Sequence, residues 1–260
     1  MNPFINKIII EAGDLLLNSI PKNNIIKYKS FNGEIDFNQI VTQQDNLIND
    51  FLKNKILKEY PHVNIISEEN DNNYLSLDTP TWVIDPIDGS LNYSRGIHYC
   101  CISIAYWDMN RPIESCVYNP FSKELFYAYR NSGSTLNNQK INVSSISELD
   151  KTLILLSGFD SFKKNNKQKE FISIVNSLKN IRILSSSVLD MCYIACGKCD
   201  ARIYANCKVW DLAAAKLILE EAGGSISDWN GITNNFSSLI LASNGLCHNE
   251  LINIINDCNT

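Results

Sequence analysis

One short segment, residues 82–93 with the sequence WVIDPIDGSLNY, constrains the fold more than any other part of the chain. An apolar run leads to Asp85, and the proline after it keeps Asp85 out of a helix and sets the chain direction. The carboxylates of Asp85 and Asp88 can then face one point. Gly89 allows a close backbone approach, and Ser90 begins a helix-like pattern whose first N–H groups favour an anion. The alternative is an Asp-Pro turn closed by an Asx-type cap at Asp88.

Other acidic residues favour the first interpretation. A hard divalent cation such as Mg²⁺ prefers oxygen ligands, and the Ile87 carbonyl lies between the two aspartates to supply one more. Glu68 and Glu69 end the preceding strand pattern, and Asp211 stands before an alanine-rich helix pattern. Each has an ordinary local explanation, because strand ends are solvated and aspartate commonly caps a helix. Together with the two aspartates of the turn, they predict a metal site.

The composition limits the partners of the chain. Its 260 residues, of which 45% are hydrophobic, can form one large domain or two closely packed halves. A net charge of -5 argues against nucleic acid or an anionic membrane as the main partner, since both select clustered Lys and Arg. Charged residues interrupt the apolar N-terminal pattern, and nine cysteines fit the reduced thiols of a cytosol. A cytoplasmic protein without a membrane span is therefore expected.

The spacing of apolar residues predicts a mixture of helices and strands. Helices are expected at residues 2–19, from Thr42 to just before Pro61, near residues 168–178 and 188–196, and in VWDLAAAKLILEE before the stop signal Gly223-Gly224. Strands are expected in VNIISEE and TWVIDP, in an antiparallel section with a hairpin between CCISIAYW and NNQKI, and in KTLILLSG, IRIL and a last strand, ARIYA. This order predicts an α/β fold, as an α+β layered sandwich.

Three segments in a fixed order, SEE, WVIDPIDGSLNYSRG and VWDLAAAKLILEEAGG, resemble the inositol monophosphatase family of Mg²⁺-dependent phosphatases. DFNQIVTQQD is similar to the family's Val-Thr-x-x-Asp segment, and CVYNPFSKELFYAYRNSGSTLNNQKINVS to its central hairpin. The resemblance covers roughly residues 36–224. It implies the sugar-phosphatase fold shared with fructose-1,6-bisphosphatase, in one domain of residues 1–260 with a metal-binding half, 1–145, and a C-terminal half, 146–260. It also implies a homodimer.

The resemblance implies two Mg²⁺ ions, and a third, weaker one oriented by Glu68 through water. The implied ligands are Glu68, Asp85 and the Ile87 carbonyl for the first ion, and Asp85, Asp88 and Asp211 for the second. One metal lowers the pKa of a bound water, and the other neutralises the departing alkoxide. The implied catalytic residues are Asp45, Glu68 and Ser90, where Ser90 replaces the usual threonine and pairs with Asp45 to activate the water. Thr42 and Asp45 also fit a capping-box variant, so they can have both roles.

The substrate is less constrained. The expected phosphate and substrate contacts are Asp88, Gly89, Ser90, Ser185, Ser186 and Tyr204. Tyr204 stands where many inositol monophosphatases have a glutamate that binds substrate hydroxyls, and the serine run is also an ordinary helix start. Lys208 is either a surface lysine or a contact for a second phosphate. An inositol phosphate, a sugar bisphosphate such as fructose 1,6-bisphosphate, a 3'-phosphoadenosine nucleotide and NADP all remain open as substrates.

Competing chemistries have weaker support. Cys192, Cys196 and Cys199, with Cys207 nearby, can form a thiolate metal site or redox pair, but their helical spacing also fits packing on one buried face. The three histidines have no ligand spacing, and no dinucleotide or P-loop motif is present. A non-enzymatic regulatory protein on the same fold would have lost metal ligands, whereas every acidic ligand position is retained here.

Overall fold

The computed structural model describes residues 2–19, 27–31, 34–41, 43–69, 77–233 and 237–257. The strands are β1 (Lys27–Phe31), β2 (Glu34–Val41), β3 (Asn64–Ser67), β4 (Thr81–Asp88), β5 (Cys101–Asp108), β6 (Arg111–Asn119), β7 (Glu124–Tyr129), β8 (Ser134–Leu136), β9 (Gln139–Lys140), β10 (Ile154–Leu156), β11 (Ile181–Arg182), β12 (Ala201–Ala205), β13 (Ser225–Asp228) and β14 (Leu239–Ser243). The helices are α1 (Pro3–Asn18), α2 (Gln43–Glu59), α3 (Ser90–Ser94), α4 (Phe159–Lys164), α5 (Gln168–Ser177), α6 (Ser187–Ala195), α7 (Val209–Glu221) and α8 (His248–Asn256).

Helices and the two larger sheets alternate to form five layers. A seven-stranded sheet has the order β3-β4-β5-β6-β7-β8-β9, and a five-stranded sheet has the order β11-β10-β12-β14-β13. Helices α1 and α2 cover the outer face of the first sheet, and α4, α5 and α8 cover the outer face of the second. Helices α6 and α7 fill the space between the two sheets, and the N-termini of both helices carry residues predicted for the site. A separate ribbon pairs β1 with β2.

Strand alternation explains why one strand can serve two cores. Successive side chains of a strand point to opposite faces. In β4, Trp82 and Ile84 pack with α1 and α2, whereas Val83 packs with α6 and α7. In β12, Ile203 packs with the outer helices, and Tyr204 packs on the side of α6 and α7. Apolar residues on both faces are what a sheet needs when helices cover both sides.

Most of the predicted helices are confirmed. Helix α1 begins after Asn2, whose side chain accepts from the Phe4 N–H at 3.0 Å, as expected of an N-cap. The second helix, α2, ends before Pro61 as predicted, but Thr42 lies outside the described residues, so its capping role stays a prediction. None of the helices that the structure describes combines the length and the apolar character that a membrane crossing requires.

Three parts of the sequence prediction are wrong or incomplete. ARIYA is not the last strand, because β13 and β14 follow and pair with each other and with β12. The polar stretch that contains KSFNG was not assigned to strands, yet β1 and β2 form there. Helix α4 was also missed. Helix α4 and strands β13 and β14 have six, four and five residues, too few for the repeated apolar spacing on which the prediction depends, whereas β2 has eight and its length does not explain the difference.

Candidate active site

Two neighbouring strand ends bring the first carboxylates together. Strands β3 and β4 are parallel, with Ser67 paired to Ile84. Glu68 follows β3 and donates its backbone N–H to the Ile84 carbonyl at 3.3 Å. Glu68 therefore lies beside Asp85, the next residue of β4, as the sequence predicts.

Asp85 and Asp88 reach the same point because β4 is irregular between them. In a regular strand, residues three positions apart point to opposite faces. Here Asp85 pairs with Ser103 and Asp88 with Cys101, so three steps along β4 match two steps along β5, and the register shifts. The shift contains Pro86, which has no N–H for the ladder. One additional residue in the bulge returns both carboxylates to one side.

A carboxylate oxygen from each of Asp85, Asp88 and Asp211 lies within 4.8 Å of the other two. The described residues contain no other group of three or more His, Cys, Asp or Glu side chains that could hold a metal in this way. Asp85 is 1% exposed, and its Oδ1 atom has no hydrogen-bond partner. Burial, and then the charges of Glu68, Asp88 and Asp211, raises the pKa of Asp85 well above its ordinary value. A buried oxygen without a donor, among other carboxylates, fits a hard divalent cation.

Three donors at the start of α6 hold the carboxylate of Asp88. The Ser186 hydroxyl and the Val188 N–H donate to Oδ2, the latter at 2.9 Å, and the Ser187 N–H donates to Oδ1 at 2.9 Å. Burial raises the pKa of Asp88, while these hydrogen bonds and the positive charge of Arg202 act in the opposite direction. Asp88 is therefore a member of the acidic cluster and also accepts hydrogen bonds from the N-terminus of α6, a helix from the other half of the chain.

Asp211 is the third residue of α7, not its N-cap. It accepts from the Lys208 N–H at 2.7 Å and from the Tyr204 hydroxyl at 3.2 Å. The N-cap alternative is thus wrong, because the helix begins two residues earlier, at Val209. Burial, followed by the charge of Asp88, raises the pKa of Asp211 to about 7. The exposed Lys208 contributes its backbone to this arrangement.

A second pair of side chains lies beside the cluster. The Ser90 Oγ atom is 2.8 Å from the Asp45 Oδ1 atom and 2.8 Å from the Ile87 carbonyl oxygen. A hydroxyl group has one proton, so Ser90 can donate to only one of these acceptors at a time. Asp45 is fully buried near the start of α2, and its charge also raises the pKa of Asp85. The pair predicted from the sequence is therefore in contact, next to the carbonyl predicted as a metal ligand.

Gly89 allows the turn between these groups. Its φ angle is +90°, and a Cβ atom there would lie 3.1 Å from the Tyr99 carbonyl oxygen and 3.2 Å from the Cys100 Cβ atom. Both the left-handed backbone and the close approach favour glycine. The turn leads directly into α3, which begins at Ser90.

The residues predicted to contact substrate divide into two groups. Ser186 and Tyr204 lie at the cluster, since Ser186 donates to Asp88 and Tyr204 donates to Asp211. The Tyr204 hydroxyl also accepts from the Ser187 hydroxyl at 2.8 Å, and burial raises its pKa well above the ordinary value. Ser185 is exposed and has a φ of 64°, so it forms the turn before α6.

The sequence analysis missed the donors on Ser187 and Val188 and a buried ion pair between Arg202 and Asp190. A signal was present, because one charged residue stands inside the apolar strand ARIYA and one inside the apolar helix SVLDMCYIA. Charged side chains are rarely fully buried unless they are paired. Two such residues in neighbouring elements predict a contact.

Comparison with known proteins agrees with this geometry. The model of the inositol monophosphatase family matches residues 1–259. The chain belongs to the inositol monophosphatase family. Members of this family are phosphoric monoester hydrolases, and the chain is accordingly a phosphatase by family. The family is metal-dependent, which fits the acidic cluster.

Individual relatives in this family carry different names. The chain is 33% identical over 226 residues to Nus factor SuhB of Xylella fastidiosa, covering 85% of this chain and 78% of the relative. It is 32% identical over 233 residues to an inositol monophosphatase of Dictyostelium discoideum, covering 86% and 83%. The structure of a Thermotoga maritima IMPase superposes with a TM-score of 0.87 at 30% identity, covering 98% and 96%. The predicted fold is thereby confirmed.

One solved relative in the family carries a ligand. The inositol monophosphate-bound structure of inositol monophosphatase-II from Staphylococcus aureus superposes with a TM-score of 0.80 at 25% identity, covering 96% of this chain and 91% of that one. A second structure of the same protein holds 2'AMP and superposes with a TM-score of 0.83 at 25% identity, so both ligands are small phosphate monoesters.

The three cysteines predicted to share one helix face do not do so, because α6 ends at Ala195, before Cys196 and Cys199. Cys192, Cys199 and Cys207 are buried, and burial raises the pKa of each thiol. No cysteine cluster with metal-ligand spacing occurs in the described part of the chain. These thiols therefore pack as small apolar side chains around α6 and α7.

Proposed function

We propose that this protein is a Mg²⁺-dependent phosphomonoesterase that hydrolyses a small phosphorylated metabolite, with inositol monophosphate as the first substrate to test. The observation that carries the proposal is the cluster of Asp85, Asp88 and Asp211, with an unpartnered buried oxygen on Asp85, beside the Asp45–Ser90 pair. A cation binder needs only the cluster, whereas a hydrolase also needs a group that orients and deprotonates water.

The proposed ligands are divided between two ions. Glu68, Asp85 and the Ile87 carbonyl would hold one Mg²⁺, and Asp85, Asp88 and Asp211 would hold another; a third, weaker ion near Glu68 completes the proposal. When bound, Mg²⁺ supplies positive charge that lowers the pKa of a water and offsets the charge of the departing oxygen. Each carboxylate must be ionised to act as a ligand, although burial and repulsion raise the pKa of Asp85 and Asp211 in the metal-free protein.

Ser90 and Asp45 would orient the attacking water. The Ser90 hydroxyl has two acceptors at 2.8 Å, the Asp45 carboxylate and the Ile87 carbonyl. If the carbonyl serves as a metal ligand, the hydroxyl proton is directed to Asp45. The Ser90 oxygen then presents its lone pairs to a water molecule, and the water proton can pass through the hydroxyl to the carboxylate.

The substrate would be held by its phosphate and by one side of its hydroxylated body. The backbone N–H groups of Gly89 and Ser90, at the start of α3, would donate to the phosphate. Asp88 and Tyr204 would contact the body, with Ser185 and Ser186 at its edge. Tyr204 is a neutral donor and acceptor, so we expect weaker discrimination among hydroxylated substrates than a glutamate would supply. Inositol monophosphate is bound in a structure of the Staphylococcus aureus relative, which supports it as the first substrate to test.

A second candidate is a regulatory protein on the same fold. It is favoured by the 33% identity with a relative that is named Nus factor SuhB. The retained acidic cluster and the Ser90–Asp45 contact favour catalysis over this candidate.

The test is phosphate release by the purified protein with Mg²⁺ and with EDTA. The panel contains inositol monophosphate, fructose 1,6-bisphosphate, 3'-phosphoadenosine 5'-phosphate and NADP. Asp85→Asn removes a ligand, and Glu148→Gln, which changes an exposed carboxylate paired with Lys151, is the matched control. We expect Mg²⁺-dependent release by the wild type and the control and none by Asp85→Asn. A folded wild type that releases no phosphate from any compound would favour the regulatory candidate.

Three further features belong to the same proposal. They are a single domain and a homodimer, which the resemblance implies, and a cytoplasmic location, which the N-terminal pattern and the cysteines favour. Sedimentation analysis of the purified protein tests the homodimer, and limited proteolysis tests the single domain, since cleavage near residue 146 would separate two independent halves.

A further inference from the structure

A buried ion pair lies behind the acidic cluster. Arg202 of β12 pairs through Nη1 with Oδ2 of Asp190 in α6, and their side chains are 3% and 0% exposed. The Tyr99 hydroxyl donates to the other Asp190 oxygen at 2.7 Å. Taking two charges out of water is costly, and apolar residues of similar volume are often as stable. Stability alone is therefore a weak reason for this pair.

Arg202 connects to the cluster through two contacts. Its guanidinium carbon lies 4.5 Å from the centroid of the Tyr204 ring, and its Nη2 atom lies 3.5 Å from the Ser187 Oγ atom. Ser187 in turn donates its hydroxyl to Tyr204 at 2.8 Å, and Tyr204 donates to Asp211 at 3.2 Å. Arg202 can only donate, so the Ser187 oxygen accepts from it and the Ser187 proton is free for Tyr204, whose own proton goes to Asp211.

The same serine also holds a second carboxylate. The Ser187 N–H donates to Oδ1 of Asp88 at 2.9 Å. Asp88 and Asp211 come from β4 and α7, and the residues that donate to them, Ser187 and Tyr204, both contact Arg202. The positive charge of Arg202 also lowers the pKa of both Asp88 and Asp211, in the direction opposite to burial.

We propose that Arg202, held by Asp190, is a positioning residue that sets the separation of Asp88 and Asp211 and the orientation of Tyr204. This inference rests on the proposed function, because it assigns a supporting structure to the same site. Groups that orient ligand side chains commonly change metal affinity or activity by about 10–100-fold when they are altered.

The test replaces both members of the pair, since removal of one would leave an uncompensated buried charge. Arg202→Met combined with Asp190→Leu keeps the net charge at this place and nearly fills the volume. The matched control is Lys167→Met with Glu170→Leu, an ion pair at 2.6 Å at the start of α5, on the outer side of the second sheet. Binding of Mn²⁺ to the metal-free proteins is followed by electron paramagnetic resonance, stability by urea unfolding, and catalysis by kcat and KM.

We expect the Arg202 and Asp190 double variant to unfold cooperatively, to bind Mn²⁺ about 10–100-fold more weakly, and to lose kcat to a similar extent. The control pair should bind Mn²⁺ like the wild type. A folded double variant with wild-type Mn²⁺ affinity and kcat would overturn the inference.

A second variant covers a failure to fold. Ser187→Ala removes the hydroxyl that joins Arg202 to Tyr204 but keeps the N–H that donates to Asp88. Weaker Mn²⁺ binding and an altered KM ratio between two substrates support the inference, and unchanged values overturn it. Failure of the proposed function has a different outcome, because the wild type itself would then bind no Mn²⁺ or release no phosphate.

Discussion

The two aspartates of the opening turn should respond in different ways when their charge is removed. In the metal-free protein, Asp85 Oδ1 is buried without a hydrogen-bond donor, whereas Asp88 accepts from the Ser186 hydroxyl and from the N–H groups of Ser187 and Val188. Asp85→Asn therefore removes repulsion and loses little. Asp88→Asn removes repulsion too, but it places an amide N–H₂ group against at least one donor.

The geometry gives the size of each effect. Two unit charges at the 4.8 Å limit of the cluster repel by about 3 kcal/mol at an effective dielectric constant of about 20. Either substitution relieves the repulsion between Asp85 and Asp88, which proton uptake also reduces, and Asp85→Asn additionally relieves the repulsion from Glu68 and Asp45. The loss at Asp88 is one hydrogen bond to a charged acceptor and one buried N–H left unsatisfied, together about 3 kcal/mol. The difference between the two variants includes this loss.

Urea unfolding in EDTA at about pH 8, followed by tryptophan fluorescence, measures the difference. We expect Asp88→Asn to be at least about 3 kcal/mol less stable than Asp85→Asn, and Asp85→Asn to be at least as stable as the wild type. Both variants should lose Mg²⁺-dependent phosphate release. If Asp88→Asn equals or exceeds Asp85→Asn in stability, the hydrogen bonds between Asp88 and the start of α6 do not stabilise the metal-free protein.

Three other predictions follow from the site. Because burial raises the pKa of Asp211 from 3.8 to about 7, its contribution to the stability of the metal-free protein is full below pH 3.8 and is lost as the pH rises through about 7. Asp211→Asn should flatten this fall in stability, as measured by urea unfolding in EDTA across that pH range. Ser90→Ala should lower kcat by about 10²–10⁴-fold with unchanged Mn²⁺ binding, whereas Ser90→Thr should keep kcat within about tenfold of the wild type. Equal kcat values for Ser90→Ala and the wild type would exclude the hydroxyl from water activation. Gly89→Ala should lower the free energy of unfolding by about 2–3 kcal/mol, because the new Cβ atom would meet the Tyr99 carbonyl oxygen at 3.1 Å. Gly96→Ala, with a similar φ and nothing within 4 Å, should lower it by only about 1 kcal/mol. Thermal unfolding compares the two variants, and equal losses of stability would contradict the steric argument.

Length alone did not decide which elements were predictable. In the seventeen residues of α2 the buried positions recur at helical spacing, whereas α7 is buried without interruption from Leu212 to Leu219 and was indicated by its alanines and leucines and by the glycines after it. The short strands β10 and β11 were also predicted. Strands β13 and β14 have four and five residues, which are too few positions to separate a strand from a loop. Strand β2 has eight residues, with apolar residues at 35, 37, 40 and 41, so its length does not explain why it was not predicted.

The sequence by itself determined the local part of the site. Asp85, Ile87, Asp88, Gly89 and Ser90 are neighbours, and a proline, a glycine and a bulge are sufficient to direct their groups to one place. The roles of the distant residues depended on tertiary structure. The N-terminus of α6 meets Asp88 only because α6 and α7 pack between two sheets, and that packing also brings Asp190 of α6 to Arg202 of β12. Chain proximity decides the geometry of adjacent residues, whereas burial of two apolar faces decides which remote groups meet.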